Sequence, residues 1–185
     1  MRSHWIFAVG AAVGVLAMAM PKLATHLQGA RTAQHKAEPL AHEENKFEFT
    51  AKGPMETVAP LFGADRERLW SPDWSPEFVY PTAPSDVRGM VFKVKHGNLN
   101  AIWVNTEFDL KPGRFQYAYV IPDALVTLIT IQLTPHGNAT HVAVEYDRTA
   151  LSSDANAHVR HLAENDAKAG PEWETQINDY LAKTK

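Results

Sequence analysis

The chain has 185 residues, a formal net charge of -3 and 45% hydrophobic residues, enough for one domain with a packed core. That charge balance, with no Lys/Arg stripe, excludes a nucleic acid as an electrostatic partner. The absence of cysteine excludes disulfides, thiol catalysis and cysteine-based zinc sites.

Arg2 precedes an apolar run from Trp5 to Met20 that carries no charge, and Ala17 and Ala19 bracket Met18 in an A-x-A pattern. Residues 1–20 therefore read as a signal peptide cleaved near Ala19, or as an uncleaved signal anchor that would give membrane association through residues 5–20. The run is slightly shorter than the roughly 20 apolar residues of a relaxed span. Either way the expected location lies across a membrane from the cytoplasm: periplasmic or secreted, or anchored through the N-terminal segment. Residues 21–45 are rich in Ala, His, Gln, Lys and Glu and have few large apolar groups, so they read as a polar linker. His26, His35 and His42 fall there and read as solvated side chains, since nothing fixes them as metal ligands.

The folded domain is expected over residues 46–185. Phe47 and Phe49 alternate with Glu48 and Thr50 as a short first strand. Gly53-Pro54 marks a turn. Pro60 limits any helix that follows, and Leu61, Phe62 and Leu69 form an apolar stripe beside the charged run Asp65, Arg66, Glu67 and Arg68. Residues 69–81, L-W-S-P-D-W-S-P-E-F-V-Y-P, hold two tryptophans and three prolines. Proline disfavours helix at the residue before it, so Trp70 and Trp74 belong to a stiff, irregular loop. Phe78, Val79 and Tyr80 suggest a second strand.

In residues 88–95, Met90, Phe92 and Val94 share one face, and Gly97-Asn98 signals a hairpin. Residues 101–109 form the next strand, followed by a Lys111-Pro112-Gly113 turn. Phe115, Tyr117, Tyr119 and Ile121 share a face of the strand after it. Residues 125–133 are apolar at nearly every position, which suits a central strand covered on both faces. Residues 140–147 alternate, with Val142, Val144 and Tyr146 inward; Asp147 and Arg148 read as surface or cap residues. After Leu151 the period becomes helical, with Ser152 or Ser153 as cap. Val159, Leu162, Trp173, Ile177, Tyr180 and Leu181 continue the stripe. Gly170-Pro171 either kinks one helix or starts a second.

Several of these stretches resemble a known group. They are R-E-R-L-W-S-P-D-W-S-P-E-F-V-Y-P at residues 66–81, R-G-M-V-F at 88–92, W-V-N-T-E-F-D at 103–109, V-E-Y-D-R-T-A-L-S at 144–152 and W-E-T-Q-I-N-D-Y-L at 173–181. Together they resemble the START-like, or SRPBCC, superfamily of helix-grip proteins, which includes polyketide cyclases and the Bet v 1-like plant allergens. The resemblance implies an α+β helix-grip fold: a curved antiparallel sheet wrapped around a long C-terminal helix. It also implies an elongated apolar cavity that holds a hydrophobic small molecule such as a lipid, sterol or polyketide. The superfamily has no universal catalytic motif, so the resemblance assigns no catalytic residue.

Candidate ligand-binding residues are Trp70, Trp74, Phe92, Trp103, Tyr117, Tyr119 and Tyr146, each offering ring area or a phenol to a ligand. Trp70 and Trp74 read equally well as plugs of the domain's open end. Glu107 is the candidate catalytic acid or base, on a condition. Simple alternation turns Ile102, Val104, Thr106 and Phe108 inward and leaves Trp103 and Glu107 in water. A bulge or register reversal would bring the Trp103 face, and Glu107 with it, into the pocket and raise the carboxyl pKa. His158 and His161 lie three apart on the terminal helix without a third ligand, so no metal is expected. No Gly-rich phosphate loop, G-x-S-x-G elbow or EF-hand is present, and no cofactor is expected. Three functions remain open: a carrier of a hydrophobic molecule, a cyclase or dehydratase with one acid–base residue in the cavity, and a protein-interaction domain without a ligand.

Overall fold

The computed structural model describes residues 38–96 and 99–184, and from Pro39 onward they form one compact unit. The expected leader at 1–20 and most of the expected linker lie outside the described residues. Among the described residues no helix is long and apolar enough to cross a membrane.

Seven antiparallel strands form one sheet: β1 (His42–Ala51), β2 (Glu77–Tyr80), β3 (Val91–His96), β4 (Leu99–Asp109), β5 (Arg114–Ile121), β6 (Leu125–His136) and β7 (Ala139–Ala150). Their spatial order is β1-β7-β6-β5-β4-β3-β2. Strands β3 to β7 follow one another as a meander, and β1 returns to close the far edge. Between β1 and β2 lie α1 (Met55–Val58) and two 3-10 turns, Ala59–Phe62 and Arg66–Leu69. After β7 come a 3-10 turn (Ser153–Ala155), α2 (Asn156–Asp166) and α3 (Gly170–Lys183).

Strand β1 starts at His42, earlier than the Lys46 expected from its apolar alternation. Residues His42 to Asn45 carry no large apolar group; the backbone ladder pairs them with Thr149 to Tyr146 of β7, and cross-strand ion pairs flank the strand's exposed side. His42 contacts Asp147 at 3.5 Å, Lys46 meets Glu145 at 2.9 Å, and Glu48 meets His141 at 3.3 Å. The chain just before the strand is clamped from the other end of the molecule. Asn156 Oδ1 accepts the Ala41 N–H at 2.7 Å, and its Nδ2 donates to the Pro39 carbonyl at 3.0 Å.

The concave face of the sheet is apolar by strict alternation. Phe115, Tyr117, Tyr119 and Ile121 of β5 are buried, as are Ile129, Ile131 and Leu133 of β6 and Val142, Val144 and Tyr146 of β7. Strand β6 is central in the sheet but covered on one face only, against the expectation for residues 125–133: Leu128 on its convex side is 37% exposed. The fold is a single curved layer with helices on its inner side, so the outer apolar residues of β6 meet solvent.

The terminal helix is two helices. The Ala167 N–H closes α2 onto the Ala163 carbonyl, and Pro171 sits in the first turn of α3, where its missing N–H would have no helical partner. Gly170 permits the close start of α3 on the sheet: a Cβ there would lie 3.2 Å from the Phe47 ring. Ile177 and Leu181 of α3 are buried, each contributing about 2 kcal/mol of apolar transfer.

Candidate functional site

Beneath the helices the concave face is hollow. A cavity of about 220 Å³ lies between the sheet, the segment joining β1 to β2, and the C-terminal helices. The sheet contributes Phe92, Trp103, Tyr117, Tyr119, Ile129, Ile131, Tyr146 and Arg148. The segment before β2 contributes Phe62, Ala64, Glu67 and Trp74, and the helices contribute Leu162 and Trp173. Six of the seven expected ligand-binding residues therefore line one space.

Trp70 is the exception. It is buried in the core, donates its Nε1–H to the Leu61 carbonyl at 2.8 Å, and packs edge-on against Phe62 and Trp173. It supports the wall that Phe62 and Trp173 present to the hollow. Trp74 instead faces the cavity, its Nε1–H donated to the Ala64 carbonyl at 2.7 Å.

Strand β4 explains both halves of the Glu107 question. Trp103 opposes Tyr119 and Asn105 opposes Tyr117, so the Trp103 face is the inner one. Glu107 then opposes Gln116, with Thr106 as one extra residue between the two registers. This bulge turns the strand so that Phe108 faces inward against Phe115, ring centroids 4.8 Å apart, while Glu107 faces outward. Glu107 meets Arg114 at 3.3 Å on the exposed side and does not line the cavity. Ile102, expected inside, is exposed on the convex face. The sequence reading allowed for a reversal of the whole strand; the bulge reverses only its first half.

The carboxylate that does line the cavity is Glu67, which the sequence showed only as part of a charged run beside an apolar stripe. Its turn is held by one local bond and one from further along the chain. The Glu67 N–H donates to the Gly63 carbonyl at 2.9 Å, and Asp86 Oδ1 accepts the Ala64 N–H at 3.0 Å. A Cβ at Gly63 would collide with the Asp86 carboxylate where it now sits. Glu67 is half-buried and lines the hollow. Desolvation alone pushes its pKa up to about 8, with no cation or donor drawing it back. Burial also raises Asp86, with the Ala64 N–H opposing.

The tyrosines are fixed phenols. Tyr117 donates its hydroxyl to the Phe62 carbonyl at 2.6 Å. Burial, then Glu67 and Asp86, push its pKa well up. Burial raises Tyr119 to about 12, and raises Tyr146 as well. None of the three is ionised near neutral pH.

Arg148, expected at the surface, is 6% exposed and lines the cavity. Its Nε and Nη2 bond both carboxylate oxygens of Asp166 on α2, and its Nη1 donates to Thr127 Oγ1 at 2.9 Å. The guanidinium also lies 4.9 Å from the Tyr146 ring centroid. Such a bidentate pair ties β7 to the end of α2. Two buried polar groups on β4 lack partners among the described residues: Trp103 Nε1 and the side-chain amide of Asn105. Groups of this kind are costly unless a water or ligand atom meets them.

No metal cluster lies in the cavity among the described residues. His42, Glu44 and Asp147 bring ligand atoms within 4.8 Å of one another on the outer edge of the sheet, where cross-strand pairing of exposed charges accounts for them. Burial, then Arg148 and His161, lower the pKa of His158.

No protein-family model matches the chain, and no curated protein does. Solved structures match it in fold. Ara h 8.0201 is 16% identical over 77% of this chain and 99% of its own, at a TM-score of 0.58. Norcoclaurine synthase from Thalictrum flavum is 10% identical over 91% and 98%, at 0.55. The Mll3558 protein from Rhizobium loti is 19% identical over 79% and 99%, at 0.51. At these identities the likeness is one of fold: a curved antiparallel sheet with C-terminal helices, the helix-grip α+β arrangement.

Proposed function

We propose that the protein binds a small, largely aromatic molecule in the cavity between its sheet and its C-terminal helices. The observation that carries this reading is a hollow of about 220 Å³ at the place where a domain of this size would otherwise bury side chains. Its walls are predominantly rings. An engineered apolar cavity of about 150 Å³ is enough to take up benzene. The space here suits one or two fused rings and is too small for a complete acyl chain, so a compact ring is favoured over a lipid. Trp103, Tyr119 and Trp74 offer faces and edges for stacking, and Phe92 backs Trp103 at 5.7 Å between centroids. The interaction-domain alternative places its apolar patch on the outer sheet or the terminal helix and makes no use of this hollow.

The catalytic alternative moves from Glu107 to Glu67. A carboxyl that titrates near pH 8 inside an apolar hollow is suited to acid–base work of the cyclase or dehydratase kind. The leader expected at residues 1–20 supports action outside the cytoplasm, in the periplasm, secreted, or held to a membrane through residues 5–20.

Titration with naphthalene and with a sixteen-carbon fatty acid, followed by tryptophan fluorescence and native mass spectrometry, tests the reading. One naphthalene per chain with quenched emission is expected, and no retained fatty acid. Failure of every ring probe to bind would overturn the proposal. Fractionation of cells producing the full chain tests the location.

A further inference from the structure

Among the described residues lining the cavity, Glu67 is the one carboxylate and Arg148 the one cation. Their situations differ. The guanidinium is committed to Asp166 and Thr127 on three of its nitrogens. The Glu67 carboxylate receives no hydrogen bond and no ion pair among the described residues. It faces a space whose other walls are mainly aromatic, including Trp103, Tyr117, Tyr119 and Tyr146. Ionising such a carboxyl without a partner is costly, so the empty site keeps it neutral. The guest that makes its ionised form favourable is one that brings both donors and a positive charge, and aromatic faces favour the same charge.

We propose that the cavity selects a small organic ammonium: an amine carried on a ring or short apolar stem, its N–H groups donated to Glu67 and its charge set against the surrounding rings. The inference rests on the binding reading above and names the chemical class of the guest. A neutral phenol or alcohol would satisfy one oxygen of Glu67 and bring no positive charge to the ring faces.

The empty site holds a proton that this guest must displace. Below about pH 8 the enclosed carboxyl is protonated, and an ammonium binds its ionised form, so binding at pH 7 expels close to one proton per guest. The groups facing Glu67 do not blur this exchange. Tyr117 and Tyr119 on β5 and Tyr146 on β7 stay protonated, and Arg148 and Asp166 stay paired to each other. Asp86 lies behind the turn on the Ala64 N–H. Arg68, on Glu67's own turn, is spent on the Pro76 carbonyl and Asp65.

Calorimetric titration of the intact protein at pH 7 with 2-phenylethylamine, 2-phenylethanol and propylbenzene, each in phosphate and in Tris, separates the outcomes. The amine is expected to bind at least roughly tenfold more tightly than the alcohol, the difference made by a charge-assisted bond. Its apparent enthalpy should differ between the two buffers by the amount that one released proton requires. In Glu67→Gln both the preference and the buffer dependence should vanish; far-ultraviolet circular dichroism confirms that this variant is folded. Equal binding of amine and alcohol, an enthalpy that does not depend on buffer, or unchanged amine affinity in Glu67→Gln would each overturn the ammonium proposal and leave the cavity reading standing. Failure of all three molecules to bind would overturn both.

Discussion

Trp74 meets Trp103 edge to face, their ring centroids 5.3 Å apart and their planes at 88°. One ring comes from the proline-stiffened loop and the other from the inner face of β4, so this contact fixes where the loop stands over the cavity. Trp70, four residues earlier, is fully embedded and touches Trp173 on α3. The two tryptophans of the same motif therefore answer to different physics. Trp70→Ala should cost about 3–5 kcal/mol of stability, by the transfer and cavity terms of a buried aromatic. Trp74→Ala should cost clearly less in stability and weaken a bound ring probe by about tenfold, the scale of one lost aromatic contact. Urea denaturation and probe titration on both variants check the pair; equal stability losses would show that Trp74 is core as well.

Glu107 supplies the complementary expectation. Its carboxylate pairs with Arg114 across the convex side, with 38% of its side chain exposed. Exposed pairs of this kind are worth about 0–1 kcal/mol. Glu107→Gln should change the thermal midpoint by no more than about 2 °C and leave probe binding untouched. A loss of binding in this variant would mean that β4 presents its other face.

These two residues show where sequence reading succeeds. Alternation correctly turned Tyr117, Tyr119 and Tyr146 to one side because period 2 in a strand is set by backbone geometry. The same pattern, carried two residues past Tyr146, would have turned Arg148 inward; the general expectation that arginine is solvated overrode it. The pattern failed at β4 because the bulge at Thr106 adds a residue that no periodicity reveals. Glu67 was hidden differently. It belongs to the 3-10 turn Arg66–Leu69, whose Arg66, Arg68 and Leu69 are exposed while Glu67 lines the cavity. Four charged residues in a row, 65–68, carry no periodicity that tells which of them turns inward. The void itself is not written in the sequence at all, since apolar inner faces look alike whether they are filled or empty.

The Arg148–Asp166 pair should behave as a buried unit. Removing either partner strands a charge in a poorly solvated place, so Arg148→Met and Asp166→Asn are each expected to cost about 3–5 kcal/mol. The double variant Arg148→Met with Asp166→Leu should recover much of that loss, because both desolvation costs disappear together. A double-mutant cycle by denaturant unfolding measures the coupling; additive losses would show that the pair does not hold β7 to α2.

The pH dependence of stability offers a readout of Glu67 that needs no ligand. Its carboxyl titrates at about 8 in the folded protein, above the roughly 4.3 of an unfolded chain. Between those values the folded state holds a proton that the unfolded state has lost. The stability that Glu67 leaves intact at low pH is therefore forfeited progressively as pH rises from about 4 to about 8, and no further beyond. Gln has no such titration. Glu67→Gln should match the parent near pH 4 and exceed it by about 2–4 kcal/mol at pH 9, a range kept below the full linkage value because the hollow lets water reach the carboxylate. Urea midpoints for both proteins at unit steps from pH 4 to pH 9 trace the curve. A stability difference that stays constant across this range would show that the Glu67 carboxyl is solvated, and would remove both the acid–base and the ammonium-binding roles from it.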